Sequence, residues 1–245
     1  LMEKADDNVI KYLLTLERNS IDKRTHDSRI YLHWAAYAGK TEMVKTLLEM
    51  GSSTTALDSH GATPLAFAAG SGLTDPEIYD LFIANGVKLS EEKNEDGANT
   101  LLLVAPYLKE EKQMDYFLNK GISLNSTDNN GNGIFNYAAK RGNIDFLKML
   151  VKKGVDYKTP NKKGGNAFLF AAQGTRGYEN PIGVYEYLKS IGLKPNVVTK
   201  DGYTPLHRLA VGNSEPAIFE FFLAANANVN QKDSEGNSPF LNAAS

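Results

Sequence analysis

A ten-residue pattern recurs along this chain at intervals near 33 residues, and this period restricts the fold more than any other feature. The clearest copies are HGATPLAFAA at 60–69, DGYTPLHRLA at 201–210 and EGNSPFLNAA at 235–244. One apolar residue marks each of seven copies, at spacings of 33, 36, 34, 33, 38 and 34 residues. The marks are Leu32, Leu65, Leu101, Phe135, Phe168, Leu206 and Phe240. Such a period is typical of stacked repeats that bury their apolar faces on one another.

Each copy carries a signal that starts a helix. Six of the seven residues directly before the proline position are types favoured at helix N-caps. The seven positions are Ile30, Thr63, Asn99, Gly133, Asn166, Thr204 and Ser238. Proline follows at Pro64, Pro205 and Pro239, where its missing N–H would be unpaired in any case. The sequence therefore predicts a short helix at the same place in every copy.

A second helix is predicted after each first one. Val44, Leu47 and Leu48 have the i, i+3, i+4 spacing of an apolar helix face, and the same spacing recurs over 144–152. A residue suited to the left-handed conformation then ends the helix. These residues are Gly51, Gly121, Gly154, Gly192 and Asn226. Each lies ten residues before another glycine, so a short polar hairpin is expected between units.

The core G-x-TPLH-x-AA-x-x-G, the second-helix pattern V-x-x-LL-x-x-G and the exit ANVN at 227–230 resemble the ankyrin repeat. The resemblance covers residues 25–245. It implies an all-α repeat solenoid, in which an ankyrin array of helix-turn-helix units is joined by β-hairpin loops. Residues 98–112 fit the pattern worst, because they lack proline at the cap and place Pro106 near the end of the first helix.

Residues 1–24 are interpreted as an N-terminal half-repeat cap, because Ile10, Leu13 and Leu14 repeat the spacing of a second helix. Residues 25–245 then hold about six ankyrin-like repeats and the start of a seventh. The sequence stops halfway through that last unit. Capping units prevent exposed apolar ends in repeat arrays. We therefore expect further residues in the gene, or a partner or second copy that covers this end.

Composition limits the classes of function. The 245 residues are 42% hydrophobic and 23% charged, which is ordinary for a globular chain. A net charge of −2 argues against binding to nucleic acid, and no apolar run is long enough for membrane insertion. We expect a monomer with a protein partner. The absence of cysteine excludes disulfides and thiolate metal sites, and it slightly favours an exported or periplasmic bacterial protein over a cytoplasmic one.

Thr204 and His207 invite a catalytic interpretation, as a hydroxyl and its base. The histidine position is filled by other residue types in most copies, and a catalytic base needs a geometric partner and a cleft. The resemblance instead implies that these two side chains hydrogen-bond locally and to the adjacent hairpin. The four histidines also lack the spacing of a zinc site. We therefore predict a protein that is not an enzyme and has no metal or cofactor.

An aromatic column follows two residues after the apolar marks. Its members are Trp34, Phe67, Leu103, Tyr137 and Phe170. Such a column can be core between adjacent first helices or a stripe that binds a peptide. We favour core, because aromatic side chains dominate ordinary cores.

The candidate partner-binding residues are large or charged at positions where the repeat makes no demand, after the Ala-Ala pair and at the hairpin tips. They are Tyr37, His60, Tyr107, Lys140, Arg141, Lys162, Lys163 and Tyr203. Tyrosine is enriched among binding anchors, and lysines beside it would steer an acidic segment.

The function predicted from these features is a non-enzymatic protein–protein interaction scaffold that uses its hairpin tips and concave first-helix face. One alternative is a regulatory or targeting region of a larger enzyme, since arrays of this kind are often attached to catalytic domains. A weaker alternative is a self-assembling structural element.

Overall fold

A computed structural model of the chain describes residues 6–16, 19–212 and 215–244. Within these ranges the chain forms fourteen α-helices and one 3₁₀ helix, and no extended strand. The predicted fold class, an all-α repeat solenoid, is confirmed. Parts of the predicted cap over 1–24, namely 1–5 and 17–18, lie outside the described residues, as does the last residue of the predicted final repeat.

The helices alternate between short and long. They are α1 (Asp7–Thr15), α2 (Tyr31–Tyr37), α3 (Thr41–Glu49), α4 (Pro64–Gly70), α5 (Pro76–Ala84), α6 (Thr100–Val104), α7 (Glu111–Asn119), α8 (Ile134–Ala139), α9 (Ile144–Lys152), α10 (Ala167–Gln173), α11 (Ile182–Ser190), α12 (Pro205–Leu209), α13 (Pro216–Ala224) and α14 (Pro239–Ala243). Even-numbered helices are the first helices that the cap signals predict, and odd-numbered helices are the second helices. The 3₁₀ helix, Ala105–Tyr107, follows α6 directly.

The chain divides into two compact units. Unit 1 comprises Leu1–Val104 and Lys112–Ser123, and unit 2 comprises Ala105–Glu111 and Leu124–Ser245. Inside unit 1, α4 packs between α2 and α6, and α3 packs against α2 and α5. Inside unit 2, the first helices α8, α10, α12 and α14 pack in sequence, and α9, α11 and α13 pack beside them. Each first helix therefore contacts the next first helix of its own unit.

The interior of the units is built on the repeated apolar marks. Six of the seven marks are at most 1% exposed, whereas Phe240 is 78% exposed. The second helices contribute their apolar stripe: in α3, Val44 and Leu47 are fully buried. In α1, Ile10 and Leu14 are buried as the spacing predicts, but Leu13 is 38% exposed.

The loops between helix pairs are hairpin loops closed by tight turns, with no extended strand among the described residues. In six loops, the residue five positions before the N-cap carries a polar side chain. This side chain accepts the backbone N–H of the residue directly before the N-cap, at 2.7–2.9 Å. These side chains are Asp58, Asn94, Asp128, Asn161, Thr199 and Asp233. The same residues donate their own N–H to the carbonyl four residues on, at 2.8–3.1 Å. In one loop an isolated antiparallel bridge between Lys93 and Asn99 flanks the turn.

Backbone hydrogen bonds also join neighbouring loops within a unit. In unit 1 the N–H of Ser59 donates to the carbonyl of Asp27 at 2.9 Å. In unit 2 three bonds of the same kind are 2.8 Å long, and they run from Lys162 to Asn130, from Lys200 to Lys163 and from Ser234 to Asp201. The loop tips are therefore fixed relative to their neighbours, and they present their side chains on a defined backbone.

Candidate functional site

The two TPLH-type histidines, His33 and His207, are fully buried and hold helix starts to the next loop. Nδ1 of His207 accepts the backbone N–H of Thr204 at 3.2 Å, and Nε2 lies 3.1 Å from the carbonyl oxygen of Asn237. Because an amide N–H only donates and a carbonyl only accepts, the ring is neutral with its hydrogen on Nε2. Both nitrogens of His207 are thus engaged by the backbone, as the resemblance implies.

His33 makes the equivalent pair of bonds, with the N–H of Ile30 at 3.2 Å and the carbonyl of Ala62 at 3.1 Å. Burial lowers the pKa of His33 below its ordinary value. The unfolded chain therefore binds more protons than the folded chain once the pH falls below about 6.5. The contribution of His33 to stability is present above that pH and is lost as the pH falls toward the folded pKa.

We expect the melting temperature of the wild-type chain to fall more steeply between about pH 7 and pH 5 than that of His33→Leu. Leucine already fills this position at Leu102 and Leu169, so it fits the helix while removing the titrating group. Thermal unfolding followed by circular dichroism across this range measures both slopes. Parallel slopes for the two proteins would show that His33 does not titrate with folding.

The described residues offer no site for other chemistry of the kinds considered. No three His, Cys, Asp or Glu side chains among them are grouped so that they could hold a metal ion. In the same part of the chain, no helix combines the length and the apolar character needed to cross a bilayer.

The aromatic column is mostly half-exposed, so its interpretation as core is wrong for four of its five members. Only Tyr137 is buried, at 6% exposure, while Trp34, Phe67, Leu103 and Phe170 are intermediate. A helix advances about 100° per residue, so a side chain two positions after a buried mark lies near the opposite face. The column therefore forms part of the surface of the first helices.

In unit 2 this surface carries a group that we call the cation–aromatic cluster. It consists of Tyr107, Tyr137, Lys140, Arg141, Phe170 and Tyr178. Lys140 Nζ lies 5.2 Å from the ring centroid of Tyr137 and 5.6 Å from that of Phe170. Arg141 Cζ lies 5.1 Å from the ring of Tyr107 and 4.6 Å from that of Tyr178. The structure thus brings together three of the candidate partner-binding residues, Tyr107, Lys140 and Arg141. It adds three residues that were not among those candidates: Tyr137, Phe170 and Tyr178.

Tyr178 belongs to the loop between α10 and α11, and that loop is held in place by Asn180. The side-chain amide of Asn180 is 2% exposed and donates to the carbonyls of Ala139, Lys140 and Ala171 at 2.9, 3.0 and 2.9 Å. These are carbonyls at the ends of two neighbouring first helices, where intrahelical donors are missing. Asn180 therefore ties the loop that carries Tyr178 to α8 as well as to α10.

In unit 1 the predicted residue Tyr37 is part of a second aromatic group. Its ring stacks on Phe67 with centroids 5.4 Å apart, and Phe67 also lies under the guanidinium of Arg29 at 4.2 Å. Arg29 is paired with Asp58 at 2.9 Å and with Asp27 at 3.2 Å. The positive charge of Arg29 is therefore neutralised by aspartates of the same chain.

The remaining predicted residues lie on or beside the loop tips. His60 is exposed, Lys162 Nζ donates to the carbonyl of Asn129 at 2.8 Å, and Lys163 pairs with Asp201 at 3.2 Å. The ring of Tyr203 stacks on His207 with centroids 4.9 Å apart. Tyr37 and His60 belong to unit 1 and the other six predicted residues to unit 2. Their role in binding stays a prediction.

Comparison with known proteins identifies the repeats along most of the chain. A model of ankyrin repeats in three copies matches residues 1–93, and a model of many copies matches 102–151 and 137–189. A model of a single ankyrin repeat matches 201–234. These matches span the same helix pairs that the periodicity marks.

Curated relatives share part of this chain and are much longer. Palmitoyltransferase AKR1 of Lachancea kluyveri is 27% identical over 164 residues, which are 67% of this chain and 22% of that protein. Neurogenic locus notch homolog protein 1 of Homo sapiens is 26% identical over 132 residues, or 54% of this chain and 5% of that protein. Neurogenic locus notch homolog protein 2 of Homo sapiens is 24% identical over 161 residues, which are 66% of this chain and 6% of that protein.

The chain therefore spans less than a quarter of the length of the curated relatives it matches. All of these relatives are eukaryotic. The bacterial source that the absence of cysteine favoured is accordingly not supported by them.

Proposed function

The chain belongs to the ankyrin repeat family, and from that premise we propose that it is a non-enzymatic scaffold whose loop tips and exposed first-helix side bind a protein partner. Ankyrin repeats imply protein–protein interaction. The face, the residues and the monomeric state are our proposal. Light scattering at two concentrations separates a monomer from a self-assembling element.

The cation–aromatic cluster is the observation that carries this proposal. Its rings lie two residues after the buried marks or beyond the first helices, and three of them, Tyr107, Phe170 and Tyr178, are only partly buried. The exposed sides of α3 and α9 are polar instead, with Lys45 and Glu49 on α3 and Lys148 and Lys152 on α9. Aromatic residues are enriched at interface cores, and charged residues such as Lys and Glu are depleted there.

Once a partner has been recovered by pull-down, Tyr107→Ala is expected to weaken its binding by about 2 kcal/mol, or roughly 30-fold. Reversal of charge at Lys162 and Lys163 is expected to slow association more than it speeds dissociation, because exposed charges act on encounter. Binding kinetics measured by surface plasmon resonance give both quantities. Tyr107 is half-buried and both lysines are exposed, so the melting temperature should change little.

Lys148→Glu with Lys152→Glu, on the exposed side of α9, is the matched control for charge reversal. The control is expected to leave binding unchanged. Binding that survives the Tyr107 and lysine variants but is lost in the control would place the partner on the second helices and refute the proposal.

A second candidate function is the regulatory or targeting region of a larger enzyme. The observation that favours it is the match to a palmitoyltransferase, of which this chain spans 22%. An antibody raised against the chain, used on an extract of the native organism, reports the mass of the natural protein. A mass near 26.9 kDa would exclude this candidate, since it equals the mass of the chain alone.

A further inference from the structure

Arg141 is a half-buried cation whose side chain lies over two aromatic rings. Its guanidinium lies over Tyr107 and Tyr178, at 5.1 and 4.6 Å from their ring centroids. Among the described residues it forms no ion pair with a carboxylate. Arg29 in unit 1, which also lies over aromatic rings, is by contrast paired with two aspartates. Arg141 thus holds a charge that the described part of the chain leaves without a counterion.

Ring contacts do not use the hydrogen-bonding capacity of a guanidinium. The rings attract its charge, whereas its five N–H groups lie in its plane and match the two oxygens of a carboxylate. The helix-end carbonyls that could otherwise accept these N–H groups are taken by another donor. Asn180 donates to the carbonyls of Ala139 and Lys140, at the end of α8.

The surroundings favour an anion that is attached to apolar groups. Partial burial of Arg141 reduces the screening of its charge by water, which strengthens its attraction for an anion. Lys140, next in the chain, adds a second positive charge beside the rings of Tyr137 and Phe170. The partly buried rings of Tyr107, Phe170 and Tyr178 next to the cations would contact the aliphatic neighbours of a bound acidic residue. One guanidinium suits one carboxylate.

A polyanion is the less suitable ligand, because the chain as a whole has a net charge of −2. Long-range attraction of nucleic acid or an anionic membrane requires a broad positive field. Two neighbouring cations on a protein of net negative charge provide local recognition instead.

We propose that Arg141, held by Tyr107 and Tyr178 and adjacent to Lys140, binds an Asp or Glu side chain in a segment of the partner protein where acidic and apolar residues alternate. This inference rests on the proposed function and names the chemistry that the same surface recognises. The rings orient the guanidinium plane, and the carboxylate completes its hydrogen bonds in that plane.

The test uses a capped peptide in which Glu alternates with Leu and Ser, titrated into the isotopically labelled full chain. The side-chain Nε–H resonance of Arg141, assigned by its loss in R141Q, reports contact at the site. The Glu peptide is expected to shift this resonance, and an otherwise identical Gln peptide is not. R141Q should weaken binding of the Glu peptide at least about tenfold, since a charge-assisted hydrogen bond is lost.

R208Q is the matched control, because it removes the same charge from an arginine in unit 2 that lies over a single tyrosine ring, Tyr203 at 5.1 Å. R208Q is expected to change the affinity for the Glu peptide less than about twofold, because it removes only long-range electrostatic attraction. R141K keeps the charge but loses the planar fork, and its affinity should fall between those of wild type and R141Q.

Equal losses in R141Q and R208Q, equal binding of the Glu and Gln peptides, or no binding of the Glu peptide would each overturn this inference. All three outcomes leave the scaffold proposal standing, because that proposal fails only when substitutions on this face do not affect the natural partner. Melting temperatures of the variants show that each is folded when it is tested.

Discussion

Phe168→Ala is expected to reduce the free energy of unfolding by about 4 kcal/mol. Phe168 is fully buried in α10, and its ring centroid lies 6.4 Å from that of Tyr185 and 5.8 Å from that of Phe222. Both neighbours are also buried, at 1% and 0% exposure. Removing the ring leaves a cavity that such closely packed groups cannot fill without leaving their own preferred positions. Urea unfolding followed by circular dichroism measures the loss.

Phe240→Ala is the control that the repeat itself supplies. Phe240 occupies the same position of its repeat as Phe168 but is 78% exposed in this chain. The substitution should change stability by no more than about 0.5 kcal/mol, as for other surface positions. Repeat arrays can unfold piecewise, so hydrogen exchange of amides in α11 should accompany the urea data. Equal costs for the two substitutions would contradict the difference in burial between these equivalent positions.

The helices could be predicted from the sequence because their starts and stops are local chemistry. Thr63 and Ser238 accept backbone N–H groups at the N-cap exactly where the cap signal places them, at 3.1 and 3.4 Å. At the other end, Gly51 and Asn226 have φ values of 84° and 60°, the left-handed conformation that ends a second helix. The third first helix also departs from the pattern as expected. After Val104 it becomes a 3₁₀ helix around Pro106, since proline lacks the N–H that an α-helix needs.

One column could have been predicted and was overlooked. The polar residue five positions before each N-cap is Asp, Asn or Thr in six successive loops, and its fixed place relative to the cap is visible in the sequence. Such side chains are typical of turns because they accept nearby backbone N–H groups.

The candidate site was predictable only in part, because its geometry depends on contacts between repeats. Lys140 and Arg141 were selected from their place after the Ala-Ala pair, and they lie in the cluster. Tyr178 lies in the loop between α10 and α11, which is longer than the matching loops of the other repeats, so the period gives no information about where its ring lies. Its position depends on Asn180, which reaches the carbonyl of Ala139, 41 residues away in sequence.

Gly202→Ala is the other substitution from which we expect a large effect, a loss of about 3 kcal/mol or more. Gly202 has a φ of 76° in the loop before α12. A Cβ atom at this position would lie 2.3 Å from the carbonyl oxygen of Lys232 and 3.0 Å from the Cα of Asp233. Both are backbone atoms of the next loop, which cannot move freely because the N–H of Ser234 is bonded to the carbonyl of Asp201 at 2.8 Å.

Gly236→Ala separates the close contact from the backbone conformation. Gly236 occupies the equivalent place in the next loop with a φ of 87°, but nothing lies within 4 Å of a Cβ added there. Alanine should therefore cost only the penalty of the left-handed conformation, about 1–2 kcal/mol. The difference between the free energies of unfolding of the two variants, measured with urea, gives the cost of the close contact between one loop and the next. If Gly202→Ala cost no more than Gly236→Ala, the loops would have to separate without loss of stability. In that case the loop tips could not serve as the fixed backbone on which a partner-binding surface is presented.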